Sequence, residues 1–272
     1  MITIVQDIFH RRELLWLLVK RNLHIRYKSS ILGFLWTMLN PIFMIVLYGI
    51  FMKLLKVYNP DNATFLPMFV VGIIVWQFLA MCMGDSLFSI LGNANLVTKV
   101  SFPRSILPLS MVTANFINFL LSCTILLAFL IIFKNANPGT MDFNYGHLFY
   151  LPFIIASQFA LCVGVSLIVS CSNVFFRDTE HIMTMVMLAW FFLTPIFYDI
   201  NAIPEQIAGL DVQRLSFLNP MTGIVTAYRH VLMSTDIIAP KLVVMSHLVC
   251  WLILIFGFAF FNRVQKRFAD AL

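Results

Sequence analysis

Long apolar runs without a charged residue constrain this sequence more than any other feature. Residues 29–52 form a run of 24 uncharged residues, residues 105–133 a run of 29, and residues 242–262 a run of 21. About 20 apolar residues in a helix suffice to cross a bilayer, whereas barrel strands alternate over about 10 residues. Only 11% of the residues are charged, which is too few for the surface of a soluble domain. The sequence therefore predicts an all-α, polytopic membrane protein.

The apolar runs divide the chain into six predicted transmembrane helices. We expect these spans at about residues 31–53, 66–91, 105–133, 152–174, 181–198 and 242–262. Between the last two, the longest uncharged run has 14 residues, 215–228, which is too short to cross a membrane. Asn219-Pro220 within it is typical of a helix start, with a cap residue followed by proline at the first helical position. We therefore predict two short re-entrant helices between the fifth and sixth spans.

The N-terminal region has a different pattern, in which polar and apolar residues alternate at nearly helical spacing over residues 5–28. This pattern predicts an amphipathic helix that lies along the membrane surface. We expect three regions: a cytoplasmic interfacial helix at 1–30, a transmembrane domain at 31–264 and a cytoplasmic tail at 265–272.

The positions of the basic residues predict the orientation, since lysine and arginine accumulate on the cytoplasmic side. With both termini inside, 12 of the 18 basic residues fall on the inner side. They are Arg11, Arg12, Lys20, Arg21, Arg26, Lys28, Lys99, Arg104, Arg177, Arg263, Lys266 and Arg267. The net charge of +6 is therefore attributed to this asymmetry rather than to nucleic-acid binding.

The motifs of several chemical sites are missing from the sequence. No glycine is followed by lysine, so there is no Walker loop for a nucleotide. There is no serine elbow of the GxSxG type, the six histidines are scattered, and the five cysteines lack CxxC spacing. We predict neither a catalytic site nor a bound metal or cofactor. Asp85, near the end of the second span, is the one marginal membrane acid, and pairing with a base such as Lys99 is expected.

Five segments, in order, resemble the permeases of type-2 ABC exporters, in the branch that exports lipid-linked polysaccharides such as O-antigen, capsule and teichoic acid. They are RYKSSILGFLW (26–36), NANLVTKVSFPRSILPLS (93–110), FFRDTEH (175–181), TPIFY (194–198) and LNPMTGIVTAYR (218–229). The resemblance covers nearly the whole chain. It implies a subunit of the bacterial inner membrane that forms a homodimer and works with two copies of an ABC ATPase, to which ATP and Mg²⁺ bind.

The resemblance also implies roles for particular residues. The N-terminal helix is similar to a cytoplasmic gate, where Arg26 and Lys28 would attract the lipid pyrophosphate. The first and fifth spans are similar to channel walls at the dimer interface, with the aromatic residues Trp36, Tyr48, Phe191, Phe192 and Tyr198 facing the glycan. Residues 93–103 resemble a helix that couples to the ATPase, with contacts expected from Asn95, Lys99, Phe102, Pro103 and Arg104. Asn219 and Pro220 belong to the expected outer gate.

Other functions remain open from the sequence. A teichoic acid or capsule exporter, or an exporter of small lipids or drugs, fits the same architecture. A multispan enzyme that transfers lipid-linked sugars is a remoter alternative, distinguished by turnover without an ATPase subunit.

Overall fold

The computed structural model describes residues 11–27, 35–54, 64–100, 102–142, 145–200, 206–207, 210–237 and 239–268. Within these ranges the chain is almost entirely helical. The helices are α1 (Arg12–Tyr27), α2 (Leu35–Leu54), α3 (Phe65–Leu87), α4 (Ala94–Lys99), α5 (Ile106–Ala136), α6 (Leu151–Phe175), α7 (Thr179–Leu193), α8 (Val212–Ser216), α9 (Pro220–Met233) and α10 (Pro240–Val264). Short 3-10 turns cover Leu91–Asn93, Tyr145–Tyr150 and Gln265–Arg267.

One minimal strand pair interrupts the helical pattern. Strand β1 (Gln206–Ile207) runs antiparallel to β2 (Leu210–Asp211), with Gln206 opposite Asp211 and Ile207 opposite Leu210. The pair immediately precedes α8, which is capped by the Asp211 carboxylate accepting a hydrogen bond from the amide of Arg214 at 2.9 Å. These strands are too short to change the architecture.

Four helical segments in the described ranges are long and apolar enough to cross a membrane. They are Phe65–Leu87, Ile106–Ala136, Gly146–Phe175 and Pro240–Arg267. The prediction of a helical polytopic membrane protein is therefore confirmed. Met38–Phe51 within α2 and all of α7 are apolar but shorter, so the prediction of six spans stays a prediction.

Helix α7 ends five residues before the expected end of the fifth span. It has 15 residues, about 22 Å of helix, whereas the hydrocarbon core is about 30 Å thick. Its last residue, Leu193, is followed by Thr194 in an extended conformation (ψ 135°) before Pro195. The proline favours this end, because the helical region is disfavoured for a residue before proline.

Helix α9 lies inside the bundle. It packs against α3, α6 and α10, and 13 of its 14 residues are buried. Asn219 caps its first turn by accepting a hydrogen bond from the amide of Met221 at 3.0 Å, and Pro220 is the first helical residue. The predicted helix start is confirmed, and α8 and α9 are the two short helices expected before the last long one.

Helices α6 and α10 approach each other closely through two glycines. A Cβ built on Gly164 lies 2.6 Å from the carbonyl oxygen of Ile253, and one built on Gly257 collides with the backbone of Gly164. Small residues allow membrane helices to approach each other closely. Backbone contact at this crossing therefore depends on glycine at both positions.

Polar side chains also join the helices. Tyr228 of α9 donates a hydrogen bond to Gln158 Oε1 at 2.8 Å, and Gln158 Nε2 donates to the carbonyl oxygen of Val75 at 2.8 Å. Asn173 Nδ2 donates to the carbonyl oxygen of Leu87 at 2.9 Å. These bonds connect α9, α6 and α3 in a region that offers no water as an alternative partner.

The glycine crossing yields a stability prediction. Gly164→Ala should destabilise the protein by about 1–3 kcal/mol, the usual cost of overpacking, because the added methyl group meets backbone atoms. Gly84→Ala in α3 is the matched control, since a Cβ there meets nothing within 4 Å. The measurement is the thermal unfolding midpoint in detergent. Equal midpoints for Gly164→Ala and the wild type would contradict the close contact.

Candidate substrate pathway and coupling surface

Helix α1 is anchored to the bundle by one apolar and two polar contacts. Leu18 and Val19 are buried, which fixes one face of the helix against α5. Arg21 Nη2 donates to Asn93 Oδ1 at 2.9 Å, and Asn22 Nδ2 donates to Ser110 Oγ at 3.1 Å. Asn93 Nδ2 donates to the carbonyl oxygen of Ser89 at 2.8 Å, and its side chain does not cap α4. The predicted amphipathic helix therefore touches the segment that leads into α4.

The C-terminal end of α1 carries an ion pair at the edge of the bundle. Arg26 Nη2 pairs with Asp85 Oδ2, and Arg26 Nη1 donates to Asn115 Oδ1 at 2.9 Å. Asn115 Nδ2 completes the triad by donating to Asp85 Oδ2 at 2.7 Å. The base paired with Asp85 is Arg26, and the suggestion of Lys99 was wrong, because α1 folds back over the end of α3. Lys28, the second predicted pyrophosphate residue, lies outside the described residues.

A cavity of about 330 Å³ opens beside this triad, between α1, α2, α3 and α5. Its walls are mainly apolar, with Ile74, Phe78 and Phe119 among them. The rings of Phe78 and Phe119 are stacked with centroids 4.7 Å apart. Polar groups enter from several sides: Arg26, Asn40, Gln77, Asn115, Asn118 and Ser122. An apolar pocket with a few convergent polar groups is the usual form of a small-molecule site.

Asn118 is the unusual residue of this cavity. It is only 5% exposed, and among the residues that the structure describes neither its amide nitrogen nor its amide oxygen has a hydrogen-bond partner. An unsatisfied buried polar group costs about 1–3 kcal/mol. A buried donor and a buried acceptor therefore lack partners in a residue that lines the cavity.

Four of the five predicted channel residues lie close together. The Tyr48 ring meets the Phe69 ring edge-on at 4.5 Å, and Phe69 stacks on Phe197 at 5.2 Å. Phe197 lies 5.0 Å from Phe191 and 6.3 Å from Phe192. Tyr198 follows directly in the chain, and its hydroxyl donates to the carbonyl oxygen of Phe192 at 3.5 Å. The cluster joins α2, α3 and the end of α7.

Trp36 belongs to the cavity rather than to this cluster. It lies at the start of α2, lines the cavity together with Arg26, and is 53% exposed. Helices α2 and α7 both keep an apolar face uncovered. On α2 the exposed residues include Phe43, Ile50 and Phe51, and on α7 they include Met185, Leu188 and Phe192.

Asn219 connects the start of α9 to the end of α7. Its Oδ1 accepts a hydrogen bond from Trp190 Nε1 at 2.7 Å, and its Nδ2 donates to Thr194 Oγ1 at 2.9 Å. Pro220 next to it is buried. Of the two residues predicted for the outer gate, Asn219 is therefore hydrogen-bonded to one of the predicted channel helices.

Arg229 was not predicted as a functional residue, yet it fixes the chain that follows α7. It is 4% exposed and donates three hydrogen bonds to carbonyl oxygens: those of Met68 (3.2 Å), Tyr198 (3.1 Å) and Ile196 (3.0 Å). Its guanidinium group thus connects the non-helical chain after α7 to the first turn of α3.

The predicted coupling segment forms a single short helix, α4, with an exposed side. Asn95 and Lys99 are exposed and lie one turn apart, whereas Val97 between them is buried. Phe102 and Pro103 are half-buried beyond the helix. Arg104 contacts its own chain, because Nη1 donates to the carbonyl oxygen of Gln265 and the guanidinium group lies 5.8 Å from the Phe268 ring. Of the five residues predicted to contact the ATPase, the exposed ones are therefore Asn95 and Lys99.

Comparison with known proteins gives a consistent result. The profile of the family described as "ABC-2 type transporter" matches residues 13–233. An "O-antigen export system permease protein RfbA" of Klebsiella pneumoniae is 31% identical over 261 residues, covering 96% of this chain and 95% of the relative. A protein of the same name from Myxococcus xanthus is 32% identical over 234 residues, covering 84% of each chain.

The family match spans most of the chain and includes the N-terminal helix, the cavity and the segment around α4. The two relatives are aligned over most of their own lengths. The chain therefore belongs to the ABC-2 type transporter family, as one of its membrane permeases.

Proposed function

We propose that this chain is the permease subunit of an ATP-driven exporter that moves a lipid-linked polysaccharide of the O-antigen type across the bacterial inner membrane. Family membership and the names of the relatives support this function. The structural observation that supports it is the cavity lined by Asn118, whose buried amide has no partner among the described residues and would pair with a neutral, hydroxyl-bearing group. Amide groups donate and accept hydrogen bonds at once, as sugar hydroxyls require.

The Arg26–Asp85 pair would receive the pyrophosphate of the lipid carrier. The side chains of both residues are about one-third exposed, at 28% and 34%. A phosphate at this position competes with the Asp85 carboxylate for the guanidinium group, which binds both kinds of anion in a bidentate manner. The stacked rings of Phe78 and Phe119 would then contact the first sugar, and Asn118 would hydrogen-bond with it.

The working unit in this proposal is a homodimer with two ATPase subunits. The uncovered faces of α2 and α7 would meet the second copy and form the channel, with Tyr48, Phe191, Phe192 and Tyr198 near its outer end. Asn219 and Pro220 would act as the outer gate through their contacts with α7. The regions proposed are an N-terminal gate helix at 1–30, a transmembrane domain at 31–264 and a tail at 265–272, with both termini cytoplasmic.

ATP and Mg²⁺ would bind to the ATPase, which contacts this chain at α4. Movement of α4 reaches α1 through Asn93 and Arg21, and α1 carries Arg26 at its other end. This chain of contacts supports a mechanism in which the ATPase changes the position of the gate helix relative to the cavity.

Asn118→Leu tests the cavity. Export of lipid-linked polymer should fall several-fold, while the unfolding midpoint should stay equal or rise, because an unsatisfied amide is replaced by an apolar side chain of similar size. Ser86→Ala is the matched control: its buried hydroxyl also lacks a partner within the described part of the chain, but Ser86 does not line the cavity, and export should stay normal. Surface polymer is quantified in cells with equal permease levels. Normal export by Asn118→Leu would remove Asn118 from the pathway.

Arg26 and Asp85 are tested by binding of a short-chain prenyl pyrophosphate to the purified permease. Arg26→Gln should weaken binding about tenfold or more, as expected for a lost charged hydrogen bond. Asp85→Asn should strengthen binding, because the competing carboxylate is gone. If Asp85→Asn weakens binding as much as Arg26→Gln does, the pair is structural and the pyrophosphate binds elsewhere.

Lys99→Glu tests the coupling surface. The reversed charge on the exposed side of α4 should reduce copurification of the ATPase several-fold without changing the unfolding midpoint of the permease. Lys241→Glu, at the exposed start of α10 and on the predicted outer side, provides the same charge change as a control. Arg104 is unsuitable for this test because its substitution breaks contacts within the chain. Wild-type recovery of the ATPase with Lys99→Glu would place the contact elsewhere.

A further inference from the structure

A second cavity, distinct from the proposed pathway, lies between the ends of α6 and α10. It has a volume of about 360 Å³, and its walls include Phe175, Phe176, Phe260, Val264, Arg263 and Arg267. We call it the α6–α10 cleft. The two helices that form it are both long and apolar enough to cross a membrane, and the cleft lies where each of them ends. It is therefore located at a boundary between hydrocarbon and water.

The walls of the cleft combine aromatic side chains with two cationic side chains. Phe176 is 70% exposed and Phe175 36% exposed, so aromatic surface is left uncovered beside the cleft. Arg263 and Arg267 are exposed and lie four residues apart, on the same side of the helix end. An occupant that matches both features has an apolar chain and an anionic head.

The two arginines place two positive charges at the cleft. Within the described ranges, neither forms an ion pair with an acidic residue. Asp178 and Glu180, at the start of α7, are exposed and form no salt bridge with this pair, and Asp270 lies outside the described residues. Two neighbouring guanidinium groups favour a phosphate ligand, since arginine binds phosphate through paired hydrogen bonds.

The cleft is preformed on its C-terminal side. Phe268 is fully buried, and its ring lies 5.9 Å from Phe175 and 5.6 Å from Phe261. Arg104 holds the same turn through the carbonyl oxygen of Gln265. Because the turn that carries Arg267 is fixed in this way, little ordering is needed when a ligand binds.

We infer that the α6–α10 cleft binds one anionic phospholipid, with an acyl chain against Phe175, Phe176 and Phe260 and the phosphate between Arg263 and Arg267. Basic clefts between transmembrane helices bind lipid head groups in this way. The binding site is separate from the Arg26 cavity, so it does not depend on the identity of the exported substrate.

Native mass spectrometry of the full-length permease tests this inference. The protein is equilibrated in mixed micelles containing equal amounts of phosphatidylglycerol and phosphatidylcholine, and the lipids retained per chain are counted. Wild-type protein should retain one phosphatidylglycerol in preference to phosphatidylcholine. Each arginine should contribute roughly fivefold to this preference, so Arg263→Gln with Arg267→Gln should reduce it roughly 25-fold.

The matched control is Lys266→Gln, which removes one positive charge from the same turn but does not line the cleft. It should leave the preference within about twofold of the wild type. Arg263→Lys with Arg267→Lys keeps the charge and should retain most of the preference, and the double glutamine variant should keep the unfolding midpoint of the wild type. Inorganic phosphate at the same concentration should not displace the lipid, because it lacks the apolar chain.

Three results would overturn the inference. Equal retention of the two lipids by the wild type would show that the arginines do not select an anion. An equal loss in Lys266→Gln and in the double glutamine variant would reduce the effect to general surface charge. Displacement by inorganic phosphate, or by the ATPase subunit alone, would assign the arginines to a different ligand.

Discussion

Within the hydrocarbon of a membrane, a polar group has to find its hydrogen-bond partner inside the protein, because no water is present to replace it. The structure follows this constraint along most of its polar core. Gln158 bridges Tyr228 and the backbone of α3, Asn173 reaches the carbonyl of Leu87, and Arg229 binds three carbonyl oxygens at once. Asn118 is an exception, because within the described residues neither of its amide atoms has a hydrogen-bond partner, and this residue lines a cavity. A ligand bound in the cavity would supply the hydrogen-bond partners that the Asn118 amide lacks.

The same constraint connects the parts of the proposed mechanism. Helix α1 reaches the bundle through polar contacts of three residues: Arg21 with Asn93 near α4, Asn22 with Ser110, and Arg26 with Asp85 and Asn115 at the cavity. A displacement of α4 therefore has a direct route to the residue that would receive the pyrophosphate. At the other end of the pathway, Asn219 joins α9 to the end of α7, so the proposed outer gate and the channel wall are parts of one hydrogen-bonded unit.

Much of this fold follows from the sequence because hydrophobicity and proline are strong local signals. Charge-free runs located the long helices to within a few residues, and Asn219-Pro220 marked the start of α9. Thr194-Pro195 indicated the early end of α7, but the predicted span was taken from the length of the apolar run and continued to residue 198. The site was harder to predict. Aromatic residues at 48, 191, 192 and 198 pointed to the cluster, but its centre, Phe69 and Phe197, was not among the predicted channel residues.

Long-range polar pairs leave no local pattern, and for this reason they were missed. Asp85 was recognised as unusual, yet the sequence separates it by 59 residues from Arg26 and gives no means of choosing between that base and Lys99. Asn115, Asn118 and Arg229 look like single polar residues in apolar runs, a weak signal of buried function in a membrane segment. Their significance depends on which helices are neighbours. Lys28 lies outside the described residues, and its role stays a prediction.

The central claim is that the cavity next to Arg26 holds the head of the exported lipid-linked sugar. The most direct measurement is a cryo-electron microscopy structure of the complete transporter, trapped with its substrate before ATP hydrolysis. The account predicts density for a sugar within hydrogen-bond distance of the Asn118 amide, with the pyrophosphate at Arg26. A substrate bound entirely outside this cavity, with Asn118 still unpartnered, would contradict it.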